Sequence, residues 1–278
     1  NYCSEKQKKN YLPKMIRGEI ITAIAMTEPG TGSDLQNIKT KATISTDTVT
    51  LNGSKTFITN GQNANLVLVV AKTDTSQKAK GISIILCEEN NKGFKRGKNL
   101  EKIGMKAQDT SELYFEEVVL PKENILGNAG QGFSQLMDEL PQERLSIAVT
   151  AISAAEAALN WTIAYVKERT AFDKKIIEFQ NTKFTLAKLK ADITVGRAFI
   201  DRCIKEHINN NFSAEDGAIA KLWCTDLQFK VMDECLQLHG GYGYMKEYPI
   251  ARAFLDSRVQ RIYGGTNEIM KEIISRNL

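Results

Sequence analysis

Glu143 directly precedes Arg144. A carboxylate beside a guanidinium can act as a general base with its charge partner, or it can be a solvated pair on a helix surface. Local sequence favours the second reading. Pro141-Gln142-Glu143-Arg144 reads as the opening of an amphipathic helix, with Pro141 at the first position, where a missing N–H costs nothing. Four further segments combine glycine with hydroxyl, amide or aromatic groups. Thr27-Glu28-Pro29-Gly30-Thr31-Gly32-Ser33-Asp34 follows a predicted strand. Its glycines allow close backbone approach to a ligand and its N–H groups can hold phosphate oxygens, although a plain turn has the same composition. Phe57-Ile58-Thr59 precedes Asn60-Gly61. An aromatic ring followed by a hydroxyl suits a flat cofactor as well as an ordinary strand end. Gln237-Leu238-His239-Gly240-Gly241-Tyr242-Gly243-Tyr244 places three glycines just past a helix, more than a C-cap uses. Tyr263-Gly264-Gly265-Thr266-Asn267-Glu268 opens a last helix with Thr266 as N-cap, and such a helix start can polarise or bind an anion.

Other chemistries lose weight. The two histidines, His207 and His239, lie in no metal-spaced cluster, so a zinc site is not expected. There is no GxSxG elbow and no P-loop.

The elements that must position these segments change character near residue 126. Before it, β-rich runs at 20–26, 41–51, 66–71, 82–86 and 113–119 are separated by Gly, Asn, Asp and Ser clusters. That spacing predicts an antiparallel barrel or sandwich, and the lack of strand–helix alternation argues against a Rossmann sheet. After it, Leu145, Ala148, Ile152, Ala155, Leu159, Ile163 and Val166 fall on one helical face. A second helix is expected over 180–207. A third is expected after Ser213, with Glu215 and Asp216 in its first turn, carrying Leu227, Val231, Cys235 and Leu238 and ending at Gly240-Gly241. A fourth follows Thr266, giving a bundle of four long antiparallel helices.

The 278 residues are 42% hydrophobic and 25% charged, a globular composition. No apolar run long enough for a bilayer is expected. The net charge of +4 is too small to imply nucleic acid. The basic run Lys92, Lys95, Arg96, Lys98, Lys102 and Lys106 reads as a solvated loop or strand edge, or as a contact for an anionic ligand or partner. The five scattered cysteines, with no CxxC pair, fit a reducing, intracellular setting. No signal peptide is visible, and the chain opens on Asn1. Residues 1–18 read as the end of a polar helix, so a native N-terminus is expected to be missing.

TEPGTGSD, FITNG, KIGMKAQDTSEL, RTAFDK, QLHGGYGYMKEYPIAR and IYGGTNEIM, in this order, resemble the acyl-CoA dehydrogenase family over nearly the whole chain. The resemblance implies an α+β multidomain fold. Its parts would be the end of an N-terminal helical domain, largely missing (1–19), a central β-domain (20–125) and a C-terminal four-helix bundle (126–278). It also implies FAD. Ile24, Ala25, Met26, Thr27, Gly32, Ser33, Phe57, Ile58 and Thr59 would hold the isoalloxazine and ribityl parts. Arg169, Gln180, Gln237, Leu238, His239, Gly240, Gly241, Thr266, Asn267 and Glu268 would hold the pyrophosphate and adenosine end, some of them from a neighbouring subunit. A homodimer or homotetramer is therefore implied. Three positions depart from the family pattern: Asp173 replaces a usual glycine, Ala171 a frequent hydroxyl, and Ser134 an aromatic residue of close relatives.

Most members of the family carry the catalytic glutamate where this chain has Gly264. The isovaleryl and long-chain branches share that glycine and place the base on the long helix, where Glu143 stands. PQERLSIA and IYGGTNEIMKE look most like the long-chain branch. The implied reaction is removal of the α-proton of an acyl-CoA thioester by Glu143 with hydride transfer to the flavin, giving a trans-2-enoyl-CoA. Gly264 would polarise the thioester oxygen. Ser33, Pro141, Gln142, Arg144, Tyr263 and Gly265 would line the substrate. An electron-transferring flavoprotein would take the electrons, and the setting would be the bacterial cytoplasm or the mitochondrial matrix. The alternatives are an acyl-CoA oxidase on the same fold and a non-catalytic binding or assembly protein.

Overall fold

The computed structural model describes residues 1–276 and 278. The chain forms two compact units: residues 1–102 with 106–137, and residues 103–105 with 138–278.

The first unit begins with α1 (Glu5–Ile16). Residues 1–18 are not the tail of an earlier helix. The helix starts at its own capping box, in which Ser4 and Gln7 satisfy each other's backbone N–H groups. The sheet follows with β1 (Thr22–Ala25), β2 (Lys41–Ile44), β3 (Thr48–Thr59), β4 (Leu66–Lys72), β5 (Ile82–Glu88), β6 (Phe94–Asn99) and β7 (Thr110–Pro121). The run expected at 41–51 is two strands, because Ser45 N–H bonds the Thr48 carbonyl (2.9 Å) and closes a turn between β2 and β3. The expected pairing is antiparallel throughout, but β1 lies parallel to β4, and β2 meets β4 in parallel at Lys41 and Lys72. The basic run supplies β6, the strand-edge alternative and not a loop. Among the described residues it pairs only with β7 and forms an end of the sheet, with Lys95 on Glu116 and Arg96 on Glu89. Val49, Leu51, Val67, Val69, Leu113 and Phe115 share the core of this unit, and in β4 the opposite face is buried too, with Leu66 and Val70 in smaller clusters.

In α2 (Gly132–Glu168) the expectation for Pro141 fails, since it is the tenth residue of the helix and not the first. A proline there offers no N–H to the carbonyl of Met137, and the division between the units falls between Met137 and Asp138. The second unit continues with the two-residue strands β8 (Thr170–Ala171) and β9 (Lys174–Lys175), then α3 (Gln180–Ile208), α4 (Ala214–His239), α5 (Pro249–Ser257) and α6 (Asn267–Ser275). Three helices are long. The fourth expected one, α6, has nine residues, and the nine-residue α5 was not foreseen. Between β8 and β9, Phe172 and Asp173 both have positive φ (53° and 59°). Such a hairpin turn favours glycine, and aspartate tolerates it, which accounts for Asp173 at a glycine position. By length and composition alone α2 could cross a bilayer, contrary to the sequence expectation. Its Ala148, Ala151, Ile152, Ala155, Ala158 and Leu159 are instead packed with α3 and α4 in a protein core.

Candidate active site

In the first unit the motif TEPGTGSD is fastened to the end of β3. Lys55 is 1% exposed and donates from Nζ to the Met26 carbonyl (2.8 Å) and to Glu28 Oε1 (3.0 Å). The Glu28 carboxylate also accepts from the backbone N–H of Lys39 (2.6 Å) and Thr40 (2.9 Å). Burial pushes Glu28 upward, but Lys55 and these donors outweigh it and bring its pKa below the usual value. Burial likewise dominates at Lys55 and lowers it to about 8 against the pull of Glu28. Thr56 N–H bonds the Thr27 carbonyl (2.9 Å), and the Asn60 amide bonds the Thr22 carbonyl (3.1 Å). The register of β3 on β7 shifts between Lys55 and Ile58, and Phe57 within that shift has φ 57°. This irregularity turns Phe57 outward (67% exposed) and leaves Thr59 exposed, while Ile58 points into the core. A left-handed phenylalanine is strained, and such strain concentrates at ligand sites. The two motifs thus share one ledge, with Gly32 and Ser33 exposed beside it in sequence.

In the second unit Glu143 projects from α2 toward the turn before α6. Its side chain still reaches solvent, yet partial desolvation raises its pKa above 4.5 against the opposing pull of Arg144. Arg144 is 6% exposed, and its Nε donates to the Gly264 carbonyl (3.3 Å). Gly264 and Gly265 have φ 63° and 88°, which glycine accepts without strain. A Cβ on Gly264 would lie 2.5 Å from Ile147 Cδ1 and 3.7 Å from Glu143 Oε1. Position 264 and the Glu143 carboxylate therefore address the same space. Burial, then the charge of Glu143, raises the pKa of Tyr263, which also lines it. Behind the turn, Lys221 is 0% exposed and donates to the Gly265 carbonyl and to Asn267 Oδ1, both at 2.8 Å.

A second cluster surrounds the end of α4. The His239 ring stacks on Tyr165 (4.3 Å between centroids), and its Nδ1 faces the Cys235 carbonyl at 2.8 Å, so that nitrogen carries the proton. Arg169 lies over the Tyr242 ring at 5.6 Å. Added Cβ atoms at Gly240 and Gly241 would meet nothing within 4 Å, so this backbone is open to a ligand.

Residues 23–118 match the middle domain of acyl-CoA dehydrogenases and residues 130–278 match the C-terminal domain. This chain belongs to the acyl-CoA dehydrogenase family. It is 52% identical over 280 residues to the mitochondrial long-chain specific acyl-CoA dehydrogenase of Sus scrofa, covering 100% of this chain and 65% of that protein. It thus spans just under two thirds of that relative's length. The acyl-CoA dehydrogenase structure from Geobacillus kaustophilus superposes with a TM-score of 0.98 at 49% identity, covering 100% of this chain and 73% of the other. A chain in the structure described as "Electron transferring flavoprotein of Acidaminococcus fermentans: Towards a mechanism of flavin-based electron bifurcation" reaches 0.95 at 36% identity, covering 99% and 72%.

Within this family member, not every residue singled out from sequence offers a side chain. Ala25 and Ile58 are buried in the core of the first unit, so only their backbone is available. The His239 ring is committed to Tyr165 and Cys235. Asn267 is 2% exposed and spends its amide on Lys221, Thr225 and Asp226. The Thr266 hydroxyl caps α6 by accepting from Ile269 N–H (3.3 Å). Arg169, Gln180, Gln237, Gly240, Gly241 and Glu268 are exposed, Leu238 is half-buried, and Met26 and Thr27 are half-buried on the ledge. Pro141 is half-buried and Gln142 exposed, one turn or less from Glu143. Sequence reasoning missed Lys55, Lys221 and Ile147. The signal for the lysines was present. Lys55 shares the inward face of β3 with Leu51, and Lys221 lies three residues before Cys224 on the buried face of α4.

Proposed function

We propose that this protein is an FAD-dependent acyl-CoA dehydrogenase in which Glu143 removes the substrate α-proton. One observation carries the reading: a side chain on Gly264, where most of the family has its base, would start 3.7 Å from Glu143 Oε1. The base has changed its point of attachment and kept its place. Ile147 and Glu143 occupy the space that the absent side chain would need.

The residues fit the cofactor. Phe57 and Thr59 are held outward by a strained backbone, Gly32 and Ser33 leave the ledge uncovered, and Gly240 and Gly241 leave an open backbone near exposed Arg169. Phe57, Thr59 and the backbone of 24–27 suit the flavin ring, and Arg169, Gln180, Gln237 and the backbone of Gly240 and Gly241 suit the pyrophosphate and adenosine end. When bound, FAD supplies the acceptor for the β-hydrogen leaving as hydride. Glu143 takes the α-proton, and its raised pKa gives it base strength that an ordinary carboxylate lacks. The substrate's own acyl chain would desolvate it further. Arg144 holds the Gly264 carbonyl, leaving the Gly264 N–H and the positive end of α6 for the thioester oxygen as enolate character grows.

The substrate is a medium- to long-chain acyl-CoA, a choice supported by 52% identity to a long-chain enzyme. The electron acceptor is an electron-transferring flavoprotein. The holoenzyme is a homodimer or homotetramer, supported by apolar side chains of the second unit left in water, among them Phe172 (89%), Tyr244 (81%), Phe184 (64%) and Val195 (63%). The compartment follows the source, cytoplasm in a bacterium or mitochondrial matrix in a eukaryote. Anaerobic mixing of full-length holoprotein with saturated acyl-CoA should bleach the flavin. Glu143→Gln should keep its FAD while the bleaching rate falls by roughly 10²–10⁴-fold. Bleaching by no chain length, or unchanged bleaching by Glu143→Gln, would overturn the assignment.

A further inference from the structure

Two buried cations hold two successive carbonyls of the turn beside Glu143. Arg144 takes the Gly264 carbonyl from one side (3.3 Å), and Lys221 takes the Gly265 carbonyl from the other (2.8 Å). Lys221 belongs to none of the motifs that mark the site and is fully buried. Burying an ammonium is expensive, and a core position without a task would be filled by an apolar side chain. Among the described residues no carboxylate lies within hydrogen-bond distance of it, and Asp226 and Glu268 act on it only from further away. Its acceptors are a backbone carbonyl and Asn267 Oδ1, also at 2.8 Å. Asn267 is the first residue of α6, and its amide nitrogen is fixed in turn by Thr225 Oγ1 (3.1 Å) and Asp226 Oδ1 (3.0 Å) on α4. Lys221 thereby ties three things to the N-terminal third of a long helix: the left-handed Gly264-Gly265 pair, the start of α6, and through them the spot opposite Glu143.

Two glycines in sequence are the least self-rigid dipeptide the chain has. With no side chain at 264 or 265, the turn cannot be fixed by its own packing, so its carbonyls must be held from outside. We propose that Lys221 is a positioning residue for proton abstraction: it fixes the Gly264-Gly265 turn so that the turn N–H groups and the Glu143 carboxylate present a constant geometry to the thioester. This inference rests on the acyl-CoA dehydrogenase reading and adds to it a residue outside the ligand-contacting set.

The test compares parent, Lys221→Met and Lys221→Gln as full-length holoproteins. Methionine and glutamine are each one heavy atom shorter than lysine; methionine loses the donors, whereas glutamine can still donate. The readouts are FAD per subunit, acyl-CoA affinity from the saturation of flavin reduction, and the reduction rate constant per bound flavin. In Lys221→Met we expect FAD content and acyl-CoA affinity within about twofold of the parent, and a reduction rate lower by roughly 10²-fold, the scale set by ångström-level misplacement of reacting groups. Lys221→Gln should retain more of the rate than Lys221→Met. A purely structural lysine would lower the yield of folded holoprotein and leave the rate per flavin unchanged. If Lys221→Met does not fold, a Lys221→Gln protein with the parent's rate per flavin overturns the proposal, and one with a lowered rate supports it. A parent that no acyl-CoA reduces removes the functional reading and this inference together. A reduced parent with unaffected variants removes this inference alone.

Discussion

Each unit withdraws a lysine from water completely, and the two are held in opposite ways. Lys55 meets a carboxylate, Glu28, which has its own backbone donors. Lys221 meets only neutral oxygens. Burial lowers both to about 8. The first arrangement is an ion pair that pins one motif to one strand. The second is a cation spent on the backbone of a turn that cannot hold itself. The difference shows where each unit lacks rigidity: the ledge has side chains to lock, and the turn has none.

Breaking the pair in the first unit should have the largest effect. Lys55→Met strands Glu28 as an unpaired buried charge, with an expected loss of about 3–5 kcal/mol in urea unfolding. Adding Glu28→Gln should return part of it, and a double variant no better than the single would contradict the pairing argument. Lys221→Met leaves only neutral groups unsatisfied, so about 1–3 kcal/mol is expected. Equal losses at the two lysines would erase the distinction drawn here.

The deficit of Lys221→Met should also depend on pH. A buried lysine with a lowered pKa binds fewer protons than the unfolded chain between about 8 and 10.5. Parent stability therefore gains relative to the variant as pH rises through that window, and the gap measured at pH 7 should widen at alkaline pH. A gap constant with pH would mean that Lys221 titrates normally. Glu143, the proposed base, provides a second pH test. Burial raises its pKa against the pull of Arg144, and a base must be deprotonated, so the flavin reduction rate should rise with pH through an apparent pKa higher than that of an ordinary glutamate.

Smaller effects test the turn itself. Gly264→Ala must accept φ 63° and a contact 2.5 Å from Ile147 Cδ1. The backbone part should cost about 1–2 kcal/mol. Combining it with Ile147→Ala should relieve the contact and leave the backbone part, and full recovery would show that the left-handed conformation is not required. On the ledge, Phe57→Gly should change stability by no more than about 1 kcal/mol, since relief of φ 57° offsets the lost ring. FAD retention on gel filtration should nonetheless drop, and unchanged retention would remove Phe57 from the cofactor set.

Much of this was legible in the sequence. Thr266 and Ser213 are caps where their chemistry predicts them, and the stripe from Leu145 to Val166 is buried, with Ile163 half-buried at its edge. Pro141 misled because propensity places proline at a helix start, and nothing local reveals that the helix had already run nine residues. The role proposed for Glu143 was not legible locally either. It is a solvent-reaching acid by pattern, and what distinguishes it is Gly264, 121 positions away in sequence and adjacent in space. Lys221 was hidden for a different reason. Helical periodicity marks its face as interior, but only the folded backbone shows that carbonyls wait there.

The lysine-bearing edge formed by β6 bears on how these molecules behave in a crowd. An unpaired strand is a template on which another chain's strand can lay down its own hydrogen bonds, and charge is what makes a second copy unwelcome. Lys98 carries charge on that edge here, while Lys95 is paired with Glu116 and Arg96 with Glu89. Acetylating the lysines would leave every backbone donor where it is, remove the Lys98 charge and release Glu116 from Lys95. The first sign of that loss would be slow fibrillation of protein that is otherwise correctly folded.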